Sequence, residues 1–133
     1  MEEVKKDTDC ILWEIPAPNR RFMGLMFERD ITPTKNMAVG IVLLPPGSEQ
    51  PKLSIHPDGE EVYFIVRGTG QFILDDKKFD IEPGTAIYVA PGVGHRAINS
   101  GGEEMEMFYA NCPSVFGQNQ GYLQFTKDWK RVR

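Results

Sequence analysis

The amino-acid sequence predicts an all-β sandwich or barrel. Short stretches rich in β-branched and aromatic residues recur along the chain, and turn signals separate them, among them Pro45-Pro46-Gly47, Pro57-Asp58-Gly59, Asp75-Asp76-Lys77-Lys78, Pro83-Gly84 and Pro91-Gly92. A spacing of about 8–12 residues between such stretches is typical of all-β domains. Several stretches are apolar on both faces, which indicates two β layers covered on the outside as well.

The predicted strands cover residues 10–15, 21–28, 37–44, 61–67, 71–75, 85–90, 95–99 and 104–110. Only the C-terminal end has helical spacing, because Tyr122, Phe125 and Trp129 fall on about one face of a helix. We expect this short helical segment to cap the outside of the β structure. The sequence shows no internal repeat, so its 133 residues are predicted to form one domain, residues 1–133.

Charge and composition exclude several classes of partner. The net charge is -4, and the only dense basic cluster is Lys130-Arg131-Val132-Arg133. We therefore expect no nucleic-acid partner, since phosphate binding needs a basic face. No apolar run approaches the ~20 residues that cross a bilayer, and the N-terminus lacks the apolar stretch of a signal peptide. We expect a cytoplasmic protein in which Cys10 and Cys112, which lack CxxC spacing, stay reduced.

The sequence contains two histidines, and each lies beside a tight turn. His56 precedes Pro57-Asp58-Gly59, and Glu60 and Glu61 follow that turn, while His95 follows the turn at Pro91-Gly92. Imidazole and carboxylate groups are ligands of divalent first-row metals. We interpret the two stretches as parts of one metal site.

Antiparallel pairing suggests how the ligands meet. A turn at 57–60 predicts a hairpin of residues 50–56 with 61–67, in which His56 is opposite Glu61 and Ser54 is opposite Tyr63. Opposed residues have Cβ atoms roughly 4.5–5.5 Å apart on one face, so His56 and Glu61 can share a cation. A second hairpin, with its loop at 91–94, is predicted to pair residues 86–90 with 95–99. Glu60 is the alternative to Glu61, but the hairpin register favours Glu61.

The two stretches together resemble the cupin signature. The first motif, about residues 47–68, matches with Gly47, His56, Glu61 and Gly68, and the second, about residues 84–99, matches with Gly84, Gly92, His95 and Asn99. The resemblance is to small single-domain cupins. It implies a double-stranded β-helix, a jelly-roll barrel, that is often dimeric and holds a divalent metal through three histidines and one glutamate.

The departures from this signature are as informative as the match. Ser54 stands where the first motif histidine is expected, and Ala90 replaces the usual proline. The predicted metal ligands are therefore His56, Glu61 and His95, for a divalent first-row metal such as iron, manganese, nickel or zinc. The residues expected to line the substrate pocket are Ser54, Tyr63, Tyr88 and Asn99, with Phe64 and Val66 facing the other way.

Two functions are compatible with this site. In the first, the protein is a metal-dependent enzyme for a small polar metabolite, of the oxygenase, isomerase, lyase or decarboxylase type. In the second, it is a non-catalytic cupin that binds a sugar or small metabolite at a degenerate metal site. In either case we expect a homodimer, because the apolar strand at residues 10–15, with Trp13, would otherwise be an exposed sheet edge.

Overall fold

The computed structural model describes residues 3–32, 34–50, 57–118 and 121–133. These residues form two antiparallel sheets and very little helix. The larger sheet has the order β10-β1-β2-β3-β9-β4-β7, and its strands in chain order are β1 (Ile11–Ile15), β2 (Arg21–Phe27), β3 (Ala38–Leu44), β4 (Glu60–Arg67), β7 (Ala86–Val89), β9 (Met105–Cys112) and β10 (Lys130–Arg131). The smaller sheet, β6-β5-β8, contains β5 (Gly70–Leu74), β6 (Lys77–Ile81) and β8 (His95–Ile98).

The two sheets share one hydrophobic core. Ile65 and Met107 of the larger sheet belong to the same buried cluster as Phe72, Ile81 and Ala97 of the smaller one. The inward side chains alternate along each strand, most clearly in β4, where every second residue from Glu61 to Ile65 is buried. The all-β prediction is confirmed, although the two sheets are not closed into a single barrel.

Each predicted strand is present, within one or two residues of its predicted ends. The sequence analysis missed β6, because it assigned Lys77 and Lys78 to a turn. The turn is shorter, with Asp75 at φ +53°, and β6 begins directly afterwards. Four of the five β6 residues are exposed, and the strand has two apolar residues, Phe79 and Ile81, so its apolar pattern is shorter than that of the other strands.

The C-terminal segment is helical only in part. Two four-residue helices, α1 (Val115–Gln118) and α2 (Tyr122–Phe125), are followed by a turn and by β10. Phe125 and Trp129 pack edge to face with ring centroids 5.4 Å apart, against the main core. The segment therefore caps the core as expected, but it ends as a strand.

Strand β10 changes the expectation about the edge at β1. It pairs with β1 through Trp13–Arg131 and Glu14–Lys130, so this part of β1 is not an exposed edge. The reason given above for a homodimer is therefore wrong. The intramolecular strand satisfies backbone groups that a second copy was expected to pair.

The sheet topology bears on both predicted hairpins. Residues Glu61–Phe64 pair with β7 on one side and with β9 on the other, and residues 51–56 of the first predicted hairpin lie outside the described residues. Gln50 instead donates its backbone N–H to Ala97 of β8. The turn at 91–94 joins the two sheets, because β7 pairs with β4 while β8 pairs with β5.

Gly68, at the end of the first motif, shows why a signature glycine is needed. Its φ is +86°, and a Cβ there would lie 2.7 Å from the Cα of Met105. Both the backbone conformation and the close approach of β9 thus favour glycine. Across the described ranges, no helix is both long and apolar enough to cross a membrane.

Candidate metal and substrate site

A cavity of about 140 Å³ lies between the two sheets and is closed on one side by the C-terminal cap. Its polar lining residues are Arg21, Gln50, Glu61, Tyr63, His95, Tyr109 and Asn111, and its apolar lining residues are Ile15, Phe22, Met23, Val42, Val115, Phe116, Phe125 and Trp129. The cavity is thus mostly apolar with a few polar groups, which is typical of a small-molecule site.

Two predicted metal ligands meet at this cavity. Glu61 Oε1 lies 3.4 Å from His95 Nε2, and the two side chains are only 5% and 2% exposed. Glu61 belongs to β4 and His95 to β8, so the pair joins the two sheets. Water is largely excluded, which strengthens any electrostatic interaction made there.

The His95 ring is held with Nε2 toward the cavity. Nδ1 lies 3.3 Å from the carbonyl oxygen of Val93, and the ring stacks on Phe72 with an interplanar angle of 3°. A carbonyl oxygen can only accept, so Nδ1 is the donor in this contact, and Nε2 is directed at Glu61 Oε1. Histidines that bind metals are commonly oriented in this way by a second contact.

The described residues fit a metal in distance as well as in type. Two donor atoms that each bind zinc at about 2.1 Å in tetrahedral geometry are separated by about 3.4 Å. The 3.4 Å between Glu61 Oε1 and His95 Nε2 matches that separation. Across the described ranges, no group of three or more His, Cys, Asp or Glu side chains is placed to bind a metal. His56 and Ser54, however, lie outside the described residues.

Tyr63 is the nearest described hydroxyl to this pair. Its hydroxyl oxygen lies 3.4 Å from His95 Nε2, and its side chain is 6% exposed. Burial, and secondarily the Glu61 carboxylate, raise the pKa of Tyr63 well above its ordinary value. Tyr63 is therefore neutral at neutral pH and can donate a hydrogen bond.

Tyr88 does not line this cavity, contrary to the sequence-based expectation. It is 56% exposed, on the outer face of β7, and donates a hydrogen bond of 2.7 Å to Glu60 Oε2. Glu60 is exposed while Glu61 is buried, which resolves the choice between the two carboxylates in favour of Glu61 as the inward one. Phe64 and Val66, 42% and 46% exposed, face outward like Tyr88.

Asn99 is buried but lies outside the cavity lining. Its side-chain amide donates to the carbonyl oxygens of Leu44 and Glu103, both at 2.8 Å, and its Oδ1 accepts from the Gly101 N–H at 3.0 Å. These hydrogen bonds give Asn99 a structural role, whereas the sequence analysis expected it to line the substrate pocket. This leaves Tyr63 as the described residue of the predicted pocket set that lines the cavity.

The sequence analysis missed Arg21, Gln50, Tyr109 and Asn111 in the cavity wall. Tyr109 and Asn111 were detectable, since they continue the inward alternation of Met105 and Met107 along β9. Asn111 also accepts the Val115 N–H at 2.9 Å and so fixes the start of the cap. No sequence pattern marks Arg21 or Gln50.

Comparison with known proteins identifies the family to which the chain belongs. The model of the Cupin domain family matches residues 40–111, more than half of the chain. This chain is a cupin. The matched range includes both motifs and every proposed ligand.

Relatives of this cupin show how far the likeness extends. It is 32% identical over 82 residues to an uncharacterized protein of Methanocaldococcus jannaschii. The aligned region covers 62% of this cupin and 65% of that protein. It is 33% identical over 72 residues to glucose-6-phosphate isomerase of Thermococcus gammatolerans, covering 50% of this cupin and 38% of the isomerase. This cupin therefore spans less than two-thirds of the length of these curated relatives.

A solved structure agrees with the fold. A predicted oxalate decarboxylase from Thermotoga maritima superposes on this cupin with a TM-score of 0.74 and 22% identity, covering 83% of this cupin and 98% of that chain. At this identity the likeness shows a shared double-stranded β-helix and not a shared reaction.

Proposed function

We propose that this cupin is a metal-dependent enzyme that acts on a small polar metabolite, with His56, Glu61 and His95 as ligands of one divalent first-row metal. The observation that supports it most is the buried Glu61–His95 pair, 3.4 Å apart at the wall of a cavity. A buried carboxylate is costly to desolvate, and a bound cation offsets that cost. The fixed orientation of His95 through Val93 adds to this support.

Chain connectivity supports His56 as the third ligand. Gln50 and Glu61 are six and five residues from His56 along the chain, and both line the cavity. With Ser54 in place of a further histidine, the ligand set becomes two histidines and one carboxylate. This set leaves coordination positions open for substrate, as in catalytic zinc and non-heme iron sites.

The residues around the pair support a reaction type. A metal bound there would supply Lewis-acid polarisation of a substrate oxygen. Tyr63, neutral and 3.4 Å from His95 Nε2, is placed to donate a hydrogen bond to an oxygen of the substrate. Among the four reaction types open to such a site, this favours those in which negative charge develops on a substrate oxygen: isomerase, lyase and decarboxylase. The likeness to proteins named glucose-6-phosphate isomerase supports the isomerase type.

The metal content of the protein, purified without chelator, tests this proposal. We expect about one equivalent of metal in the wild type and in Glu60→Gln, and a large loss in Glu61→Gln. The two variants make the same chemical change at adjacent positions, but Glu60 is exposed and Glu61 is buried. A wild-type protein that takes up no iron, manganese, nickel or zinc on titration would contradict the proposal.

A second candidate function is a non-catalytic cupin that binds a sugar or small metabolite. Ser54 favours it, because loss of one ligand position weakens metal affinity. The same titration distinguishes the two, since the second candidate requires ligand binding without a stoichiometric metal.

A further inference from the structure

Two consecutive arginines at the start of β2 have opposite environments. Arg20 forms an ion pair with Glu14, and its guanidinium stacks over the Phe22 ring at 4.8 Å. Arg21 lines the cavity that also contains Glu61 and His95. Their different environments make Arg20 a natural control for the role of Arg21.

Arg21 has only part of its hydrogen-bonding capacity filled by protein. One terminal nitrogen, Nη1, donates to the carbonyl oxygen of Asn19 at 3.0 Å. Across the described ranges, no carboxylate oxygen lies within ion-pair distance, 4.0 Å, of this guanidinium. Partial burial lowers the pKa of Arg21 from its ordinary value, because desolvation disfavours the charged form.

A guanidinium that is always charged and partly removed from water gains from an anionic partner. We propose that Arg21 binds the carboxylate of a small monoanionic substrate, whose other end reaches the Glu61–His95 end of the same cavity. The planar guanidinium presents parallel N–H groups that match the two oxygens of a carboxylate. This inference names the substrate class for the site proposed above and rests on that proposed function.

The rest of the lining favours a carboxylate over a phosphate. Among the lining residues that the structure describes, Arg21 is the one arginine or lysine, and Glu61 contributes a carboxylate. Much of the remaining wall is aromatic, with Phe116, Phe125 and Trp129. The two oxygens of a carboxylate pair with the one guanidinium of Arg21, whereas the third oxygen of a phosphate would find no second arginine or lysine among the described lining residues.

The cavity also limits the size of the substrate. Its volume is about 140 Å³. An apolar cavity of about 150 Å³ holds one benzene molecule. We therefore expect a substrate of about six to ten non-hydrogen atoms, with a carboxylate at one end and an oxygen-bearing group at the other.

Binding measurements with matched pairs of ligands test the inference. The probes are lactate and benzoate, the neutral amide of each, and inorganic phosphate, measured by ligand-observed NMR and by shifts of the unfolding temperature. The proteins are the wild type, Arg21→Gln, Arg21→Lys and Arg20→Gln. At least one carboxylate is expected to bind the wild type and Arg20→Gln at least about tenfold more tightly than it binds Arg21→Gln. Arg21→Lys, which keeps the charge but loses the planar fork, should lie between them.

The amide of that carboxylate should bind equally to all four proteins. Carboxylates that bind Arg21→Gln as well as the wild type, or that bind no form of the protein, would overturn the inference, as would phosphate binding in their place. The metal content of each variant is measured in parallel. Normal metal content with no effect of Arg21 refutes the carboxylate assignment alone, whereas absence of metal from the wild type refutes the proposed function. Circular dichroism of Arg21→Gln and Arg21→Lys verifies that both fold.

Discussion

Glu61 Oε1 and His95 Nε2 lie 3.4 Å apart although their strands belong to different sheets. Neither sheet alone contains the pair, so it forms only when the sheets pack through the core that includes Tyr63 and Phe72. A ligand that binds to both Glu61 and His95 would therefore connect the two sheets. A metal bound by both residues should therefore stabilise the folded state, because the unfolded chain does not contain the site.

The first prediction concerns His95. We expect His95→Ala to lose stoichiometric metal binding and, with it, the metal-dependent rise in unfolding temperature. For the wild type, a metal at 100 times its dissociation constant should add about 2.7 kcal/mol to the free energy of unfolding. Calorimetric unfolding with and without zinc measures the effect. Tyr88→Phe, on the exposed face of β7, is the control and should behave as the wild type. Full metal occupancy in folded His95→Ala would show that the ligands lie elsewhere.

The second prediction concerns Ser54, which occupies the position of the missing motif histidine. Ser54→His should add an imidazole ligand and increase metal affinity, by tenfold or more on the scale of about 1.4 kcal/mol per decade. Competition with a chromophoric chelator measures the change. Ser48→His, at a hydroxyl that donates to the Arg20 carbonyl oxygen, is the matched control and should leave the affinity unchanged. Equal affinity in Ser54→His and wild type would argue against the proposed ligand set.

The strands were predictable from the sequence because β-branched and aromatic residues mark them and turns separate them. Strand β6 was missed because three of its five residues are charged and its apolar pattern is limited to Phe79 and Ile81. The pairing of strands was also predicted wrongly. The turn at Pro91-Gly92 was interpreted as a hairpin turn. In the structure, Val89 before the turn pairs with β4, whereas His95 after the turn pairs with β5. Local turn chemistry does not specify which sheet the chain enters next.

The candidate site was predictable only where a residue type is rare or a family motif marks it. His95 and Glu61 were found in this way, and the structure places them at one cavity. Tyr88 was misplaced because the predicted register paired β7 with β8. Arg21 lies outside both motifs, and it is the fold that brings Arg21 to the cavity that Glu61 and His95 also line. A single arginine has no pattern in sequence that reveals such a position.

The third prediction separates the structural role of Asn99 from a role in binding. Asn99→Ala removes three hydrogen bonds from a buried position, two of them to the carbonyl oxygens of Leu44 and Glu103. We expect the free energy of unfolding to fall by about 2–3 kcal/mol. Metal stoichiometry and carboxylate binding should not change. Urea unfolding gives the first quantity, and Ser100→Ala, at the exposed neighbouring position, is the control. Normal stability with weakened ligand binding would instead place Asn99 in the pocket.

The last prediction uses the buried Tyr109. Its hydroxyl donates to the Gly24 carbonyl oxygen at 2.9 Å, and burial, followed by the charge of Glu61, raises the pKa of Tyr109 well above the ordinary value of 10.0. In the unfolded chain tyrosine titrates at about pH 10. Above that pH the unfolded chain releases a proton that the folded protein retains. The contribution of Tyr109 to the free energy of unfolding should therefore be constant below about pH 10. It should fall as the pH rises further, by up to about 1.4 kcal/mol per pH unit for one tyrosine.

Tyr109→Phe should reverse part of this alkaline loss. The variant loses about 1 kcal/mol at neutral pH through the missing hydrogen bond. Its free energy of unfolding should then decline less steeply than that of the wild type above about pH 10, where the remaining decline comes from Tyr63, whose pKa is raised for the same reason. Urea unfolding between about pH 8 and pH 11 measures both slopes. Tyr88→Phe is the control: the hydrogen bond to Glu60 also raises the pKa of Tyr88, but its ring is 56% exposed, so the slope should change much less than in Tyr109→Phe. Parallel slopes for Tyr109→Phe and wild type would mean that Tyr109 ionises in the folded protein as readily as in the unfolded chain.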